Sequence, residues 1–260
     1  MPVKIVTDQL GQPLEIPFPP KRIISLVPSQ TELLFDLGLA DEVVGITKFC
    51  VHPSAWRKTK TIIGGTKKFN FDTIEQLKPD LIIGNKEENY KEGIEALQQK
   101  YPVWMSDIVT LTDAFAMIQS IGEITGRLTQ AETLVSMVKS SFQELTKITS
   151  TRVLYLIWRN PWMGAGAGTF IHEMLTVAGF ENCLQNRERY PEFSSSEIAA
   201  LKPDLVFLSS EPYPFTEKHI TGVQVLLPEA NIICVDGEMF SWYGSRMRYF
   251  ASYITKLPIT

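Results

Sequence analysis

The chain has 260 residues, a length that allows one large domain or two modest ones. Hydrophobic residues make up 44% and charged residues 21%, as in ordinary globular proteins, which excludes extended disorder. The formal net charge of −4 provides no basic surface for nucleic acid or for an anionic membrane. We therefore expect a globular protein whose partners do not include nucleic acid.

The sequence as given predicts a cytoplasmic protein. Its first residues carry charge and proline where a secretory signal needs an apolar core. The longest strongly apolar run, Val153 to Trp158, is far shorter than the roughly 20 residues of a membrane-spanning helix. Three scattered cysteines, Cys50, Cys183 and Cys234, do not form a disulfide framework. A periplasmic or extracellular location is the alternative if a signal was removed.

The first predicted element is an N-terminal hairpin in residues 1–21, with a turn at Leu10-Gly11-Gln12 between apolar stretches. An α/β lobe follows over residues 22–128, in which strands and helices alternate. Its predicted elements are strand Ile23–Val27, a helix capped by Ser29 and Glu32 that ends near Gly38, strand Val43–Ile46, helix Asp72–Leu77, strand Leu81–Ile83, helix Tyr90–Lys100 and strand Val103–Met105.

A connecting helix is predicted within residues 129–149, from about Gln130 to Ile148. Thr129 and Glu132 have the capping-box spacing, and apolar residues then recur at helical intervals. Such a helix would be about 28 Å long, and bending it would break backbone hydrogen bonds, so we expect a rigid linker. The second α/β lobe, residues 150–260, begins with a strand at Arg152 and ends with strand 232–235 and a helix over 245–255.

The two predicted lobes repeat one pattern. Leu77-Lys78-Pro79-Asp80-Leu81 recurs as Leu201-Lys202-Pro203-Asp204-Leu205, and each copy predicts a helix end, a turn and a buried strand. Alternating strands and helices favour parallel βαβ units. The predicted fold class is therefore α/β, with two Rossmann-like lobes that contain parallel sheets, a long rigid helix between them and a ligand cleft between the lobes.

Signatures of common enzymes are missing from the sequence. There is no nucleophile elbow, no P-loop and no His-Glu-x-x-His, and the glycine-rich stretch 164–168 lacks dinucleotide-binding spacing. It predicts a turn before a helix that begins near Thr169. Cys50 and His52 face the same way in an extended segment, so both could reach one metal or ligand; a buried structural cysteine is the equal alternative. With three histidines in all, no dense metal site is predicted.

Aromatic residues cluster in the loops after predicted strands, where open α/β sheets bind ligands. Because both lobes contribute, they indicate two aromatic walls around a large flat or apolar molecule. One wall is predicted to contain Trp158, Trp162, Trp242 and Tyr243, the other Phe49, Cys50 and His52; Tyr190 and Phe240 complete the set. Asn85, Lys86, Glu87 and Glu88 add polar groups at the same edge, with an exposed, solvated loop as the alternative.

The stretch from Arg22 to Gly38, then Val44-Gly45, His52-Pro53 and the repeated Leu-Lys-Pro-Asp-Leu, resembles the cobalamin-type substrate receptors of ABC transporters and their siderophore-binding relatives. These are class III periplasmic binding proteins, also called helical-backbone metal receptors. The resemblance runs from Lys21 through nearly the whole remaining chain. It implies two Rossmann-like lobes, a rigid helix between them, one ligand in the cleft and a monomer with neither enzymatic activity nor an intrinsic cofactor.

The resemblance also implies site residues. The cobalamin-contacting places fall at Pro28, Phe49, Asn85, Met163 and Tyr190, and in the loop 239–243 that contains Phe240, Trp242 and Tyr243. Two places depart from the pattern: Asn85 stands where the cobalamin receptor has Trp, and an aromatic residue expected near Thr66 is absent.

Docking on a permease is implied through one acidic residue on each lobe. Asp72 matches in the first lobe, while in the second Ser196 stands at the matching position with Glu197 beside it. An acidic residue in the first turn of a helix is also favoured by the helix dipole, which is the alternative account of Asp72.

The sequence therefore predicts a binding protein for a corrinoid or a metal chelate such as a siderophore. A bound corrinoid or iron chelate is the expected cargo, and an ABC transporter permease the expected partner. The alternative, from a different class, is a cytoplasmic metal-binding protein, metallochaperone or metal-dependent enzyme that uses Cys50, His52 and the Glu87/Glu88 pair.

Overall fold

The computed structural model describes residues 2–148 and 150–259, and the chain divides into two compact units. The first unit comprises Met1–Ile108, Thr112–Val138 and Tyr243–Arg246; the second comprises Val109–Leu111, Lys139–Trp242 and Met247–Thr260. The segment Tyr243–Arg246 thus groups with the first unit, although the predicted lobe 150–260 includes it.

A parallel sheet forms the centre of the first unit, with strands in the order β5-β4-β3-β8-β9. The strands of this unit are β1 Val3–Thr7, β2 Pro13–Pro17, β3 Ile23–Ser25, β4 Val43–Ile46, β5 Thr61–Ile62, β6 Gly64–Gly65, β7 Lys68–Phe69, β8 Leu81–Asn85 and β9 Val103–Ser106. β1 pairs with β2 in antiparallel fashion, as predicted for the N-terminal hairpin, and β6 pairs with β7. The buried strand β8 forms hydrogen bonds on both sides, as its continuous apolar run indicates.

Helices pack beside this sheet, and the last two of them also contain residues of the second unit. They are α1 Pro28–Asp36, α2 Trp56–Thr59, α3 Phe71–Leu77, α4 Lys91–Gln98, α5 Leu111–Thr125 and α6 Leu128–Gln143. The predicted capping box at Ser29 and Glu32 is wrong: α1 begins at Pro28, with Val27 as the N-cap and no side-chain cap. Proline suits the first helical turn because it has no N–H to leave unsatisfied.

The connecting helix differs from the predicted one at both ends. It begins at Leu128 rather than after Thr129, and it ends at Gln143, five residues before Ile148. Instead of continuing the helix, the Ile148 N–H donates to the carbonyl of Ala178 in the second unit. Thr146 and Ile148 are β-branched, which weakens the preference for helix at this end.

A mixed sheet forms the centre of the second unit. Strands β10, β12, β14 and β15 are parallel as predicted, and β11 and β13 add antiparallel edges in the order β13-β11-β10-β14-β15, with β12 also on β10. The elements are β10 Arg152–Trp158, β11 Trp162–Gly164, α7 Phe170–Ala178, β12 Glu181–Asn182, β13 Glu192–Phe193, α8 Ser195–Leu201, β14 Leu205–Ser209, α9 Ile220–Gln224, β15 Asn231–Val235, α10 Glu238–Ser241 and α11 Phe250–Ile254, with 3₁₀ turns at Glu217–His219 and Ser245–Tyr249. The single final helix predicted over 245–255 is thus a 3₁₀ turn followed by α11.

The repeated Leu-Lys-Pro-Asp-Leu sequence builds the same junction twice. Lys78 and Lys202 end their helices in the left-handed conformation, with φ of 46° and 44°. The Arg22 Nε donates to the Leu77 carbonyl at 2.7 Å, and the Arg152 Nη1 donates to the Lys202 carbonyl at 2.8 Å. In both units, an arginine at the start of one strand therefore satisfies carbonyls at the end of the helix that leads into the neighbouring parallel strand, which confirms the predicted helix end, turn and strand.

None of the described helices combines the length and the apolar composition needed to cross a membrane.

Candidate functional site

The first sheet has its topological switch point between β3 and β8. The chain leaves β3 toward β4 on one side and leaves β8 toward β9 on the other. In open α/β sheets the loops diverge at such a point and leave a crevice at the carboxyl ends of the strands, where ligands bind. Here that edge consists of residues 26–28, which lead into Pro28 at the start of α1, and the loop 86–89 after β8.

Asn85 organises the loop at this edge. Its side-chain Oδ1 accepts from the backbone N–H groups of Glu87 and Glu88 at 2.8 and 3.1 Å, and its Nδ2 donates to the Ser106 Oγ at 3.0 Å. The residue is buried, and both ends of its amide are engaged within the unit. Asn85 therefore holds the shape of the loop, while Lys86 is exposed and forms an ion pair with Asp107.

An open groove of about 790 Å³ lies in the same unit. It is lined by residues 64–72 together with Lys48 and Phe49. The Phe49 ring is half exposed, and the Lys48 amine lies 5.0 Å from its centre. A Cβ at Gly65 would approach this ring to 3.1 Å, so glycine lets the ring lie against the β6 backbone. The groove thus offers an aromatic surface with cationic groups beside it.

The groove adjoins the loop after β8. Asn89 Nδ2 donates to the carbonyl of Thr66 at 3.1 Å, and the Lys67 Nζ donates to the carbonyl of Glu87 at 2.7 Å. These bonds join the β6–β7 hairpin to the carboxyl edge of the sheet. The loop after β4 that contains Phe49 and the loop after β8 that contains the Glu87/Glu88 pair are therefore linked through the β6–β7 hairpin.

The segment Tyr243–Arg246 completes this side of the first unit. The buried Tyr243 hydroxyl donates to a carboxylate oxygen of Glu88 at 3.1 Å. Burial raises the pKa of Tyr243 well above its ordinary value, and the nearby Glu88 adds to the effect. Tyr243 therefore contacts the loop after β8 and groups with Phe49 and Asn85, whereas Trp242 belongs to the second unit.

Glu32 and Arg246 form a bidentate ion pair within the same unit. Arg246 Nε and Nη2 donate to the two carboxylate oxygens at 2.9 and 2.8 Å, and both side chains are close to nine-tenths buried. Burial raises the pKa of Glu32, and the Arg246 guanidinium opposes that rise. The sequence analysis missed this pair because the two residues are 214 positions apart.

Cys50 lies in the core of the first unit. Its thiol is fully buried and is 3.0 and 3.2 Å from the hydroxyl oxygens of Thr31 and Thr47. His52 is half-buried. Within residues 2–148 and 150–259, no group of three or more His, Cys, Asp or Glu side chains could hold a metal ion. These contacts favour the structural alternative for Cys50 over a shared metal site with His52.

We expect Cys50 to resist alkylation in the folded protein. Burial raises the pKa of its thiol above the ordinary value, which disfavours the reactive thiolate, and the fully buried sulfur is also inaccessible to the reagent. Brief treatment with iodoacetamide followed by mass spectrometry should label the partly exposed Cys234 at least tenfold faster than Cys50, and unfolding in urea should abolish the difference. Equal labelling of the two cysteines in the folded state would contradict this placement.

The switch point of the second sheet lies between β10 and β14. Trp158 ends β10 with its side chain 38% exposed, and its ring packs edge-on against Tyr213 at 5.6 Å between ring centres. Tyr213 belongs to the loop after β14, and its N–H donates to the Ile157 carbonyl. The sequence analysis missed Tyr213; comparing the loop after β14 with its duplicate after β8 would have identified it.

Trp162 lies beside this crevice on β11. It is largely buried, parallel to Phe215 at 6.5 Å, and the Arg159 guanidinium lies 5.5 Å from its ring centre. Met163, also on β11, is half-buried, and Tyr190 is half-buried under the guanidinium of Arg189. Trp158 and Trp162 are therefore brought into one aromatic cluster, with Arg159 as its cationic member.

Phe240 and Trp242 occupy inner positions of the second unit. Phe240 is fully buried and packs against Tyr155, Phe207 and Phe250, which places it in the core rather than on an aromatic wall. Trp242 is buried, and its Nε1 donates to Glu211 at 3.0 Å. Burial raises the pKa of Glu211, and hydrogen bonds from Ser241 and Trp242 oppose the rise.

The two candidate docking residues differ in their surroundings. Asp72 is exposed in the first turn of α3 and lines the groove. Glu197 is also exposed, but its carboxylate accepts from the Ser194 N–H at 2.8 Å as part of a capping box and faces Arg187 at 3.7 Å. Hydrogen bonds from Ser194 lower the pKa of Glu197. Ser196, the position that matches Asp72, is exposed beside it.

The chain also matches a known protein family. The family described as periplasmic binding protein matches residues 23–228. A Bacillus subtilis protein called an uncharacterised ABC transporter substrate-binding lipoprotein, YvrC, is 27% identical over 77% of this chain and 67% of its own length. The vitamin B12-binding protein of Vibrio vulnificus is 25% identical over 74% of this chain and 72% of its own.

Among solved structures, the petrobactin-binding protein YclQ from Bacillus subtilis matches with a TM-score of 0.83 at 18% identity, over 98% of this chain and 97% of that one. At that identity the match shows a shared fold. It confirms the α/β fold class that the alternating strands and helices predict.

Proposed function

We propose, because this chain belongs to the periplasmic binding protein family, that it is a receptor for a corrinoid or a metal chelate and delivers it to an ABC transporter. The family and the matched relatives are solute-binding proteins rather than enzymes. The bound corrinoid or iron chelate is cargo and not an intrinsic cofactor. The metal-dependent enzyme built on Cys50, His52 and Glu87 is therefore not proposed.

The observation that carries the proposal is the groove beside the carboxyl edge of the first sheet. Phe49 presents a half-exposed ring there, and Lys48 and residues 64–72 supply cationic and polar groups around it. A flat or apolar chelate can stack on an aromatic ring, and lysines attract the negative charge that many metal chelates carry. The names of two relatives, for vitamin B12 and for petrobactin, agree with a large chelating or corrinoid ligand.

A permease partner and a location outside the cytoplasmic membrane are part of the proposal. A relative described as an ABC transporter substrate-binding lipoprotein supports both. Asp72 is the proposed docking residue on the first unit, because it is exposed at the rim of the groove. Glu197 is the proposed residue on the second, although its hydrogen bonds to Ser194 would have to be shared with an incoming arginine.

The test is a titration of the purified chain, followed by quenching of tryptophan fluorescence. Cyanocobalamin, haemin and ferric hydroxamate or carboxylate chelates are compared with plain Mn²⁺, Zn²⁺ and Ni²⁺. Saturable binding of at least one corrinoid or chelate, with no response to the plain metals, is the expected result. Binding of plain metals alone would replace the proposal with a metal-binding function.

Replacing Phe49 by alanine should weaken the best-binding chelate about tenfold. The reason is the loss of a stacking surface: aromatic contacts contribute about 1 kcal/mol beyond the area they bury, the lost buried area adds to this, and 1.4 kcal/mol is tenfold. Phe35→Ala is the matched control, because Phe35 is similarly exposed in the same unit but does not line the groove. Equal loss of affinity in the two variants would remove Phe49 from the ligand site.

A further inference from the structure

The guanidinium of Arg159 contains a buried nitrogen without a hydrogen-bond acceptor in the described chain. Arg159 follows β10 at the switch point of the second sheet, and its side chain lies over the ring of Trp162. Its Nε is buried and has no hydrogen-bond partner. In the part of the chain that the structure describes, no carboxylate pairs with this side chain.

Some other arginines of the second unit have acceptors within the protein. Arg152 donates to the carbonyls of Leu201 and Lys202. Arg187 also stacks on an aromatic ring, that of Phe193, yet it faces the Glu197 carboxylate at 3.7 Å. A stacked guanidinium in this unit is thus compatible with an acceptor, as Arg187 shows, whereas the buried Arg159 Nε has none among the described residues.

The surroundings of Arg159 are apolar and aromatic. Trp162 stacks with Phe215, and Trp158 packs against Tyr213 in the adjoining loop. On the side of α9, Gly222 presents no side chain, and a Cβ there would lie 3.8 Å from the Arg159 Nη2. A guanidinium binds a carboxylate through two parallel hydrogen bonds, and such a pair strengthens where water is displaced by apolar groups.

We propose that Arg159 is a specificity-determining residue that binds a carboxylate of the cargo, with the apolar part of the cargo against Trp158 and Tyr213. This inference rests on the proposed receptor function. It narrows the ligand class to chelates or corrinoids that carry at least one free carboxylate. A neutral ligand of the same shape leaves the buried Nε without an acceptor and binds more weakly.

The experiment compares ligands that differ only in carboxylates: haemin with haemin dimethyl ester, and a cobalamin monocarboxylic acid with cyanocobalamin. Dissociation constants are measured for the wild type, Arg159→Met and Arg159→Lys. Arg187→Met is the matched control, because it removes a stacked guanidinium that already has a carboxylate partner. Thermal unfolding of every variant establishes that it is folded.

For at least one pair, the wild type should prefer the acid over its neutral counterpart tenfold or more. Arg159→Met should reduce this ratio to within about twofold of unity, Arg159→Lys should retain part of it, and Arg187→Met should leave it unchanged. Binding of acid and neutral forms with equal affinity by the wild type overturns the inference while leaving the receptor function intact. The same holds if Arg159→Met weakens both forms equally. If neither pair binds while a ferric chelate binds in the titration described above, the inference is overturned and the receptor function stands; if no corrinoid or chelate binds in either experiment, the receptor proposal fails and the inference with it.

Discussion

Replacing Arg246 by methionine is expected to lower the free energy of unfolding by about 3–5 kcal/mol, because the change leaves the buried Glu32 carboxylate without its partner. Removing one member of a buried ion pair lowers stability by much more than the pair contributes in net terms, because the remaining charge stays buried without a partner. Equilibrium unfolding in urea at pH 7, followed by circular dichroism, measures the loss.

The destabilisation in Arg246→Met should depend on pH in a defined direction. Burial already raises the folded-state pKa of Glu32 above 4.5, and removal of Arg246 takes away the main opposing influence. The folded variant then holds a proton that the unfolded chain releases, so its stability falls as pH rises through 4.5 and the folded-state pKa. The deficit relative to wild type is therefore largest at neutral pH and smallest near pH 4.

Lys4→Met is the control for this prediction. Lys4 pairs with Glu123 at 2.8 Å, but both side chains are much more exposed, and such pairs contribute about 0–1 kcal/mol. The double variant Glu32→Gln with Arg246→Met should recover part of the lost stability, because no buried charge remains. Similar losses in Lys4→Met and Arg246→Met would show that the Glu32–Arg246 pair is not buried in solution.

Replacing Gly179 by alanine should cost at least about 3 kcal/mol of unfolding free energy. Gly179 ends α7 in the left-handed region with φ of 91°, and a Cβ there would lie 2.1 Å from the Ile148 carbonyl oxygen. The left-handed conformation alone costs an alanine about 1–2 kcal/mol, and the backbone overlap adds the cost of shifting residue 148.

The duplication supplies the control for this substitution. Gly38 follows α1 at the equivalent position with φ of 78°, and a Cβ there would meet nothing within 4 Å. Gly38→Ala should therefore cost only the conformational part, about 1–2 kcal/mol. Urea unfolding of both variants gives the comparison; equal losses would mean that residue 148 yields freely to the added methyl group.

The repeated junctions were predictable because their causes are local. Pro79 and Pro203 cannot continue a helix, and the apolar run after each predicts a buried strand. Helix α5 was missed although its buried residues, among them Ala114, Met117, Ile118 and Ile121, recur at helical spacing as those of α6 do; α5 is the more apolar of the two helices. The predicted helix ends were wrong where contacts distant in sequence determine them, as at Ile148, whose N–H donates to the Ala178 carbonyl.

The position of aromatic residues at strand ends was predictable, but the direction of their side chains was not. Placement after a strand correctly brings Trp158 and Phe49 to sheet edges with exposed rings. The same reasoning fails to separate Phe240, which lies on α10 and is fully buried, because placement after a strand does not determine which way a side chain points. The partners of Glu88 and Glu32 could not be predicted from the sequence, since they lie 155 and 214 positions away along the chain.

The first unit is discontinuous in sequence, and this limits how the gene can be divided. Tyr243–Arg246 belongs to it, while Trp242 and Met247 on either side belong to the second unit. A gene fragment that stops anywhere before codon 243 therefore encodes a first unit without Arg246 and Tyr243, the donors to Glu32 and Glu88. No single cut in the coding sequence yields two complete units, so fusion or exchange with a relative has to carry the four residues 243–246 along with the first unit.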